Sequence, residues 1–160
     1  MNKLLLIIDL QKDFINEYTQ FLPKKISELI ERNDYKNVVF TRFINDKNNV
    51  CYKRLKYTGC IEESGKKIVI DTQNNEIVDK STYTALTENI IKYIKNNKID
   101  EIYLCGIDTE CCVLKTAFDM FENLYNVYVL KDYCASIHGT EVHNNAIKLL
   151  ERNIGKEYII

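Results

Sequence analysis

The chain has 160 residues, 22 Lys and Arg against 23 Asp and Glu, and a formal net charge of −1. That length suits one domain spanning residues 1–160, and 46% hydrophobic residues can supply its core. The balanced charge lacks the basic surplus of a nucleic-acid surface, no stretch approaches the ~20 apolar residues of a membrane helix, and Leu4–Ile8 is too short for a signal-peptide core. A cytoplasmic protein that engages neither nucleic acid nor membrane is the expectation.

In chain order, Lys3–Ile8 is a continuous apolar run, as expected of a strand buried on both faces of a parallel sheet. Pro23 sits in the first turn of a helix that places Ile26, Leu29 and Ile30 on one face. Asn37–Thr41 reads as the second strand and residues 42–66 as polar and irregular. Lys67–Ile70 reads as an accessory strand, Glu76–Lys80 as a third core strand, and Tyr83–Asn96 as a helix carrying Leu86, Ile90, Ile91 and Ile94. Glu101–Cys105 is the next strand, ending at Gly106. Helical spacing resumes at Cys112 through Val113, Ala117, Phe118 and Phe121. Asn126–Lys131 is the fifth strand, Thr140–Glu151 the last helix with Val142, Ala146, Leu149 and Leu150 apolar, and Lys156–Ile160 a terminal strand. This alternation predicts an α/β fold: a doubly wound, Rossmann-like, mostly parallel sheet with helices on both faces.

Such folds bind ligands beyond the carboxyl ends of their strands. Here the first strand ends in Asp9, the third in Lys80, and the fourth in the turn Gly106-Ile-Asp-Thr-Glu-Cys-Cys. Each residue has an ordinary structural reading: a turn cap, a solvated charge, a core thiol. Three strands delivering a carboxylate, an amine and a thiol to one rim is the less ordinary observation. With Thr109 as N-cap, Glu110, Cys111 and Cys112 would occupy a first helical turn, where free N–H groups and the helix dipole lower a thiol pKa. An Asp can take the thiol proton, a Lys can stabilise negative charge, and first-turn amides can hold an oxyanion. Cys51, Cys60, Cys105 and Cys134 read as small buried hydrophobes. The six cysteines lack a C-x-x-C pair, and His138 and His143 have no such pair to join.

The motifs LLLIIDLQKDF (4–14), VVFTR (38–42), DKSTYTAL (79–86), IYLCGIDTECCVLKTA (102–117) and VLKDYCAS (129–136) follow one another along most of the chain. Together they resemble the isochorismatase-like cysteine hydrolases, the superfamily that includes nicotinamidases and N-carbamoylsarcosine amidase. The resemblance implies Asp9 as general base, Lys80 as the charge-stabilising lysine and Cys112, not Cys111, as nucleophile. It also implies a cis peptide between Ile107 and Asp108, an oxyanion hole from the amides of Asp108 and Cys112, and Gln11 and Phe14 supporting or lining the pocket; the substrate-binding wall is expected from Phe14, residues of the 42–58 segment and Tyr83. A homodimer or larger homo-oligomer is implied as well.

Nicotinamidases carry an Asp-x-His…His metal site after the second strand, where this chain reads Thr-Arg-Phe-Ile-Asn-Asp. The expectation is therefore no metal and no cofactor, with His143 structural and nicotinamide a poor substrate. The sequence reads as a metal-independent amidohydrolase cleaving a small carboxamide or related C–N bond through a Cys112 thioester. Two alternatives stand beside it. One is a catalytically degenerate member that binds a small molecule or a protein. The other is a flavodoxin-like nucleotide binder, against which the stretch after the first strand counts because it lacks a Gly-rich phosphate loop. Arg42, Lys53, Arg54 and Lys56 either meet a substrate carboxylate or are simply solvated.

Overall fold

Leu4, Leu5, Leu6, Ile7 and Ile8 are all fully buried. Successive strand side chains point to opposite faces, so unbroken burial means that both faces of this strand are covered. A computed structural model of the chain describes all 160 residues and makes this strand, β1 (Lys3–Ile8), the centre of a five-stranded sheet. The others are β2 (Asn37–Phe43), β3 (Glu76–Lys80), β4 (Glu101–Ile107) and β5 (Val127–Ala135), in the order β3-β2-β1-β4-β5 with every pairing parallel. Six helices accompany them: α1 (Leu22–Glu31), α2 (Val50–Leu55), α3 (Glu63–Lys66), α4 (Glu88–Asn96), α5 (Leu114–Glu122) and α6 (Thr140–Ile154). The doubly wound α/β class expected from the alternation is the fold observed. No helix is long and apolar enough to cross a membrane.

The strand order reverses between β1 and β4, and the crevice beyond their carboxyl ends is where such sheets bind ligands. Gly106 lets the two strands approach there. It pairs with Ile8 at a φ of +122°, and a Cβ on it would lie 2.0 Å from the Ile8 carbonyl oxygen. Only glycine fits that backbone and that gap.

Several expected boundaries move, each for a local reason. Strand β2 runs on to Phe43, which pairs with Lys80 of β3, and β4 and β5 run on to Ile107 and Ala135 because their pairing shifts register between Leu104 and Gly106 and then resumes at Cys134. Residues 42–66 are not irregular: α2 forms behind Asn49, whose side chain accepts from the Cys51 N–H at 2.8 Å, and α3 is a single turn. Lys67–Ile70 is no strand, since β3 already fills the β2 edge; the segment makes only a bridge between Ile68 and Gln11. The helix expected from Tyr83 starts at Glu88 with Thr87 as its cap, the preceding residues being used at the site described below. The terminal Lys156–Ile160 begins with a 3₁₀ turn at Lys156–Tyr158 and reaches β5 through one bridge, Ile159 to Val129. Phe121 and Leu149, expected on apolar helix faces, are exposed; Thr116, Ala117 and Met120 face the core from α5, and Ala146, Leu150 and Ile154 from α6.

Candidate active site

Asp9 follows β1 in the left-handed region (φ +49°), a conformation that Asp tolerates better than most residues. Its carboxylate is wholly buried. Oδ1 accepts from the Thr41 hydroxyl of β2 at 2.7 Å, and the same hydroxyl accepts from the Asp9 N–H at 3.2 Å. Oδ2 lies 2.6 Å from Nζ of Lys80 at the end of β3, with neither side chain exposed to solvent. Lys80 Nζ also donates to the carbonyls of Thr82 (2.9 Å) and Tyr83 (3.3 Å) and lies 3.6 Å from Sγ of Cys112. The 81–87 loop is tied in turn to α5: the Thr116 hydroxyl donates to the Cys112 carbonyl at 2.6 Å and accepts from the Ala85 N–H at 2.8 Å. The structure thus brings Asp9, Lys80 and Cys112 together from three separate strand ends.

After β4 the Ile107–Asp108 peptide is cis, and Thr109–Val113 wind a π-type turn leading into α5. The cap position falls on Asp108, not on Thr109 as the sequence suggested, and the Asp108 side chain makes no capping bond. The Asp108 carbonyl instead takes the N–H groups of Cys111 and Val113, both at 3.1 Å, passing over that of Cys112. Buried Thr109 shares a 2.8 Å hydrogen bond with Nδ1 of His143 on α6. That places His143 behind the turn, where burial lowers its pKa below the usual imidazole value.

The electrostatics correct one expectation. Placement in the first turn predicts a lowered thiol pKa for Cys112, yet the thiol is pushed well above the ordinary range. Pairing with the Cys111 thiol, burial and the Asp9 carboxylate all favour the neutral form, against which Lys80 works alone. For Lys80, burial favours loss of the proton, but Asp9 and Cys112 outweigh it and hold the ammonium above its usual pKa. The resting arrangement is an ion pair beside a neutral thiol.

A cavity of about 590 Å³ opens over Cys112. Phe14, Phe43, Leu55, Tyr57, Tyr83 and Ile137 form its apolar wall, and Phe14 and Tyr57 are stacked at 6.3 Å. Phe14 and Tyr83 therefore stand where a pocket role needs them. Gln11 supports the wall without lining it: it is fully buried, and its amide accepts from the Phe43 N–H and donates to the carbonyls of Phe43 and Lys66, fixing the end of β2. Thr41 beneath Asp9, and the Asp108 and Glu110 carboxyls and His138 at the cavity, carry no spacing signal and are not expected from the sequence, whereas Cys51 falls within the 42–58 segment expected at the pocket.

The nicotinamidase metal position is not matched here. The corresponding end of β2 presents the Phe43 ring and Asn45, whose amide nitrogen donates to Tyr57 and Gly59 carbonyls, and no group of three His, Cys, Asp or Glu side chains has metal-binding geometry. These residues do not fit a metal ion.

Comparison with known proteins gives the chain's family and fold relatives. The family model for the isochorismatase domain matches residues 3–157. Isochorismatase family protein 2A of Dictyostelium discoideum is 27% identical over 93% of this chain and 74% of its own length, while protein 1A of the same organism is 33% identical over only 50% of this chain and 39% of its own. Among solved structures, an isochorismatase-like hydrolase from Alkaliphilus metalliredigens superposes with a TM-score of 0.84 at 21% identity, covering 95% of this chain and 92% of that one. Nicotinamidase PncA from Bacillus subtilis gives 0.84 at 23% identity, covering 97% of each chain. At such identities the structural likeness is one of fold, and the family match carries the assignment. With the match spanning residues 3–157, the chain belongs to the isochorismatase domain family of hydrolases.

Proposed function

We propose that this protein is a metal-independent cysteine hydrolase that cleaves a small carboxamide, with Cys112 as nucleophile, Asp9 as proton acceptor and donor, and Lys80 as the charge that steadies both. One observation carries the reading: a fully buried Asp9–Lys80 ion pair at 2.6 Å whose ammonium also lies 3.6 Å from a thiol on the floor of a cavity. A buried ion pair is weak evidence for stability, because desolvation offsets most of its Coulomb energy. Beside a thiol, it has a chemical use.

The steps follow from the resting charges. Substrate enters with its carbonyl over Cys112, and Asp9 takes the thiol proton as sulfur bonds to the carbonyl carbon. The developing oxyanion is held by the Asp108 and Cys112 amides. When the intermediate collapses the C–N bond breaks, protonated Asp9 gives its proton to the departing nitrogen, and a thioester remains on Cys112. A water, deprotonated by Asp9, adds to that thioester; the acid leaves and the proton returns to the thiolate. One amide and one water become one acid and one amine, and the enzyme is restored.

Support from relatives is of the same kind. The solved structures similar in fold include nicotinamidases, one of them a yeast enzyme bound to the inhibitor nicotinaldehyde. The test is ammonia release over a panel of small primary amides, with Cys112→Ala as the blank. The expected result is at least one amide cleaved by the native protein and only a residual rate with the variant. Binding without release across the panel would make the chain a binding module on the same scaffold.

A further inference from the structure

The wall of the cavity carries an uneven charge. Of the lining residues only Lys56, Asp108 and Glu110 bear a formal charge. Lys56 Nζ is turned back onto the Lys53 carbonyl at 3.0 Å, and Lys80 beneath the floor is committed to Asp9. Two carboxyls therefore remain opposite an otherwise apolar and aromatic surface. Glu110 is held from one side, Oε1 accepting from the Ser136 hydroxyl at 2.7 Å, while Oε2 is buried with no partner. Asp108 is fixed by one oxygen only: Oδ1 accepts from the Ile137 N–H at 2.8 Å, and Oδ2 has no hydrogen-bond partner in the chain.

The position of Asp108 creates a conflict within the proposed mechanism. Its backbone amide is to hold the oxyanion, while its side chain would bring a second negative charge to the same cavity. A carboxylate beside a developing oxyanion raises the barrier unless something positive stands between them. Neither nearby lysine contacts Asp108: Lys56 Nζ is on the Lys53 carbonyl, and Lys80 Nζ reaches Asp9, Cys112 and the Thr82 and Tyr83 carbonyls.

We infer that the missing charge comes with the substrate: Asp108, reinforced by Glu110, selects small amides that carry a cationic nitrogen, an ammonium or amidinium, on the side of the molecule away from Cys112. The inference rests on the amidohydrolase reading and adds the substrate class to it. Burial, the charges of Glu110 and Asp9, and the opposing Ile137 N–H together set the Asp108 carboxyl at about 7. The other groups that face it are Tyr57 from the loop after α2, Cys111 and Cys112 in the π-type turn, and His138 beyond β5. Asp108 is thus largely neutral at pH 5.5 and charged at pH 8, so preference for a cation should grow across that interval.

Three isosteric probes test this: 3-(aminomethyl)benzamide, 3-(hydroxymethyl)benzamide and 3-carbamoylbenzoate. Their binding to the Cys112→Ala protein is measured by calorimetry at pH 5.5 and pH 8, and ammonia release by the native protein is followed in parallel. The expected result is that the cation binds about tenfold or more tightly than the neutral probe at pH 8, as suits a charge-assisted hydrogen bond. That ratio should shrink at pH 5.5, and should fall below about threefold in Asp108→Asn, where the Ile137 bond is kept. Equal binding of the three probes, tighter binding of the carboxylate, no binding of the cation, or a cation preference that is unchanged by pH and by Asp108→Asn would overturn the inference. The two claims fail separately. Cleavage of neutral or anionic amides without cation preference leaves the hydrolase reading intact, whereas cation-selective binding with no release of ammonia removes the hydrolase reading and keeps the selectivity. The pH comparison needs no variant at Asp108, so a folding defect in Asp108→Asn does not disable the test.

Discussion

At Cys112 two opposed charges meet. The Asp9 carboxylate pushes the thiol towards its neutral form, and Lys80, 3.6 Å from Sγ, pulls it towards the thiolate. Asp9→Asn removes one of the three influences that Lys80 works against, so Cys112 should ionise at lower pH than in the native protein. Lys80→Met removes the one cation beside the thiol, so it should ionise at higher pH. The rate of iodoacetamide capture at Cys112, mapped by mass spectrometry across pH, reads both. Turnover should fall in both variants although their thiols move in opposite directions, because proton transfer and ionisation are different demands. Shifts in the same direction would mean that the ion pair does not govern the thiol. Each single variant also strands a buried ion, at a cost of roughly 3–5 kcal/mol, and the combined Asp9→Asn/Lys80→Met protein should recover part of the lost thermal stability.

At the scale of elements, the site depends on how closely β1 and β4 approach and on how β2 ends. Gly106→Ala would set a Cβ 2.0 Å from the Ile8 carbonyl oxygen at a φ of +122°. It should destabilise the protein by about 3 kcal/mol or more, read as a lower urea midpoint, because neither strand can move without disturbing the central pairing. The end of β2 offers Phe43 and Asn45 and not a ligand set. Dialysis against a chelator should therefore leave ammonia release unchanged; a loss restored by one divalent metal would contradict that. The core strands could be read from the sequence because their apolar runs are local. What could not be read were the places where tertiary contacts override local pattern. Tyr83 to Leu86 have helical spacing, yet the backbone there is used for Lys80 and Thr116. The residues at 67–70 have strand composition but find the sheet edge already taken by β3.

For the molecule as a whole, the sheet converts three distant positions into one site. Asp9, Lys80 and Cys112 are legible as a group because each follows an apolar run at the same end of the same sheet. Asp108 and Glu110 are not legible as partners, since their relevance lies in which oxygen faces the cavity, nor is Thr41, whose role is a buried contact with Asp9; sequence spacing encodes neither. Gln11, which sits in a functional motif, supports the pocket by holding Phe43 without lining it. If the three strand ends form one catalytic unit, their contributions cannot be independent. The most direct measurement is kcat/KM for ammonia release from the best amide of the panel, compared among native protein, Asp9→Asn, Cys112→Ala and Asp9→Asn/Cys112→Ala, below the melting temperature of each. Asp9→Asn should lose about 10²–10⁴-fold, as expected for removal of a general base. The double variant should be no slower than Cys112→Ala alone. Near-native activity in Asp9→Asn, or a double variant in which the two losses multiply, would contradict the Asp9–Lys80–Cys112 mechanism.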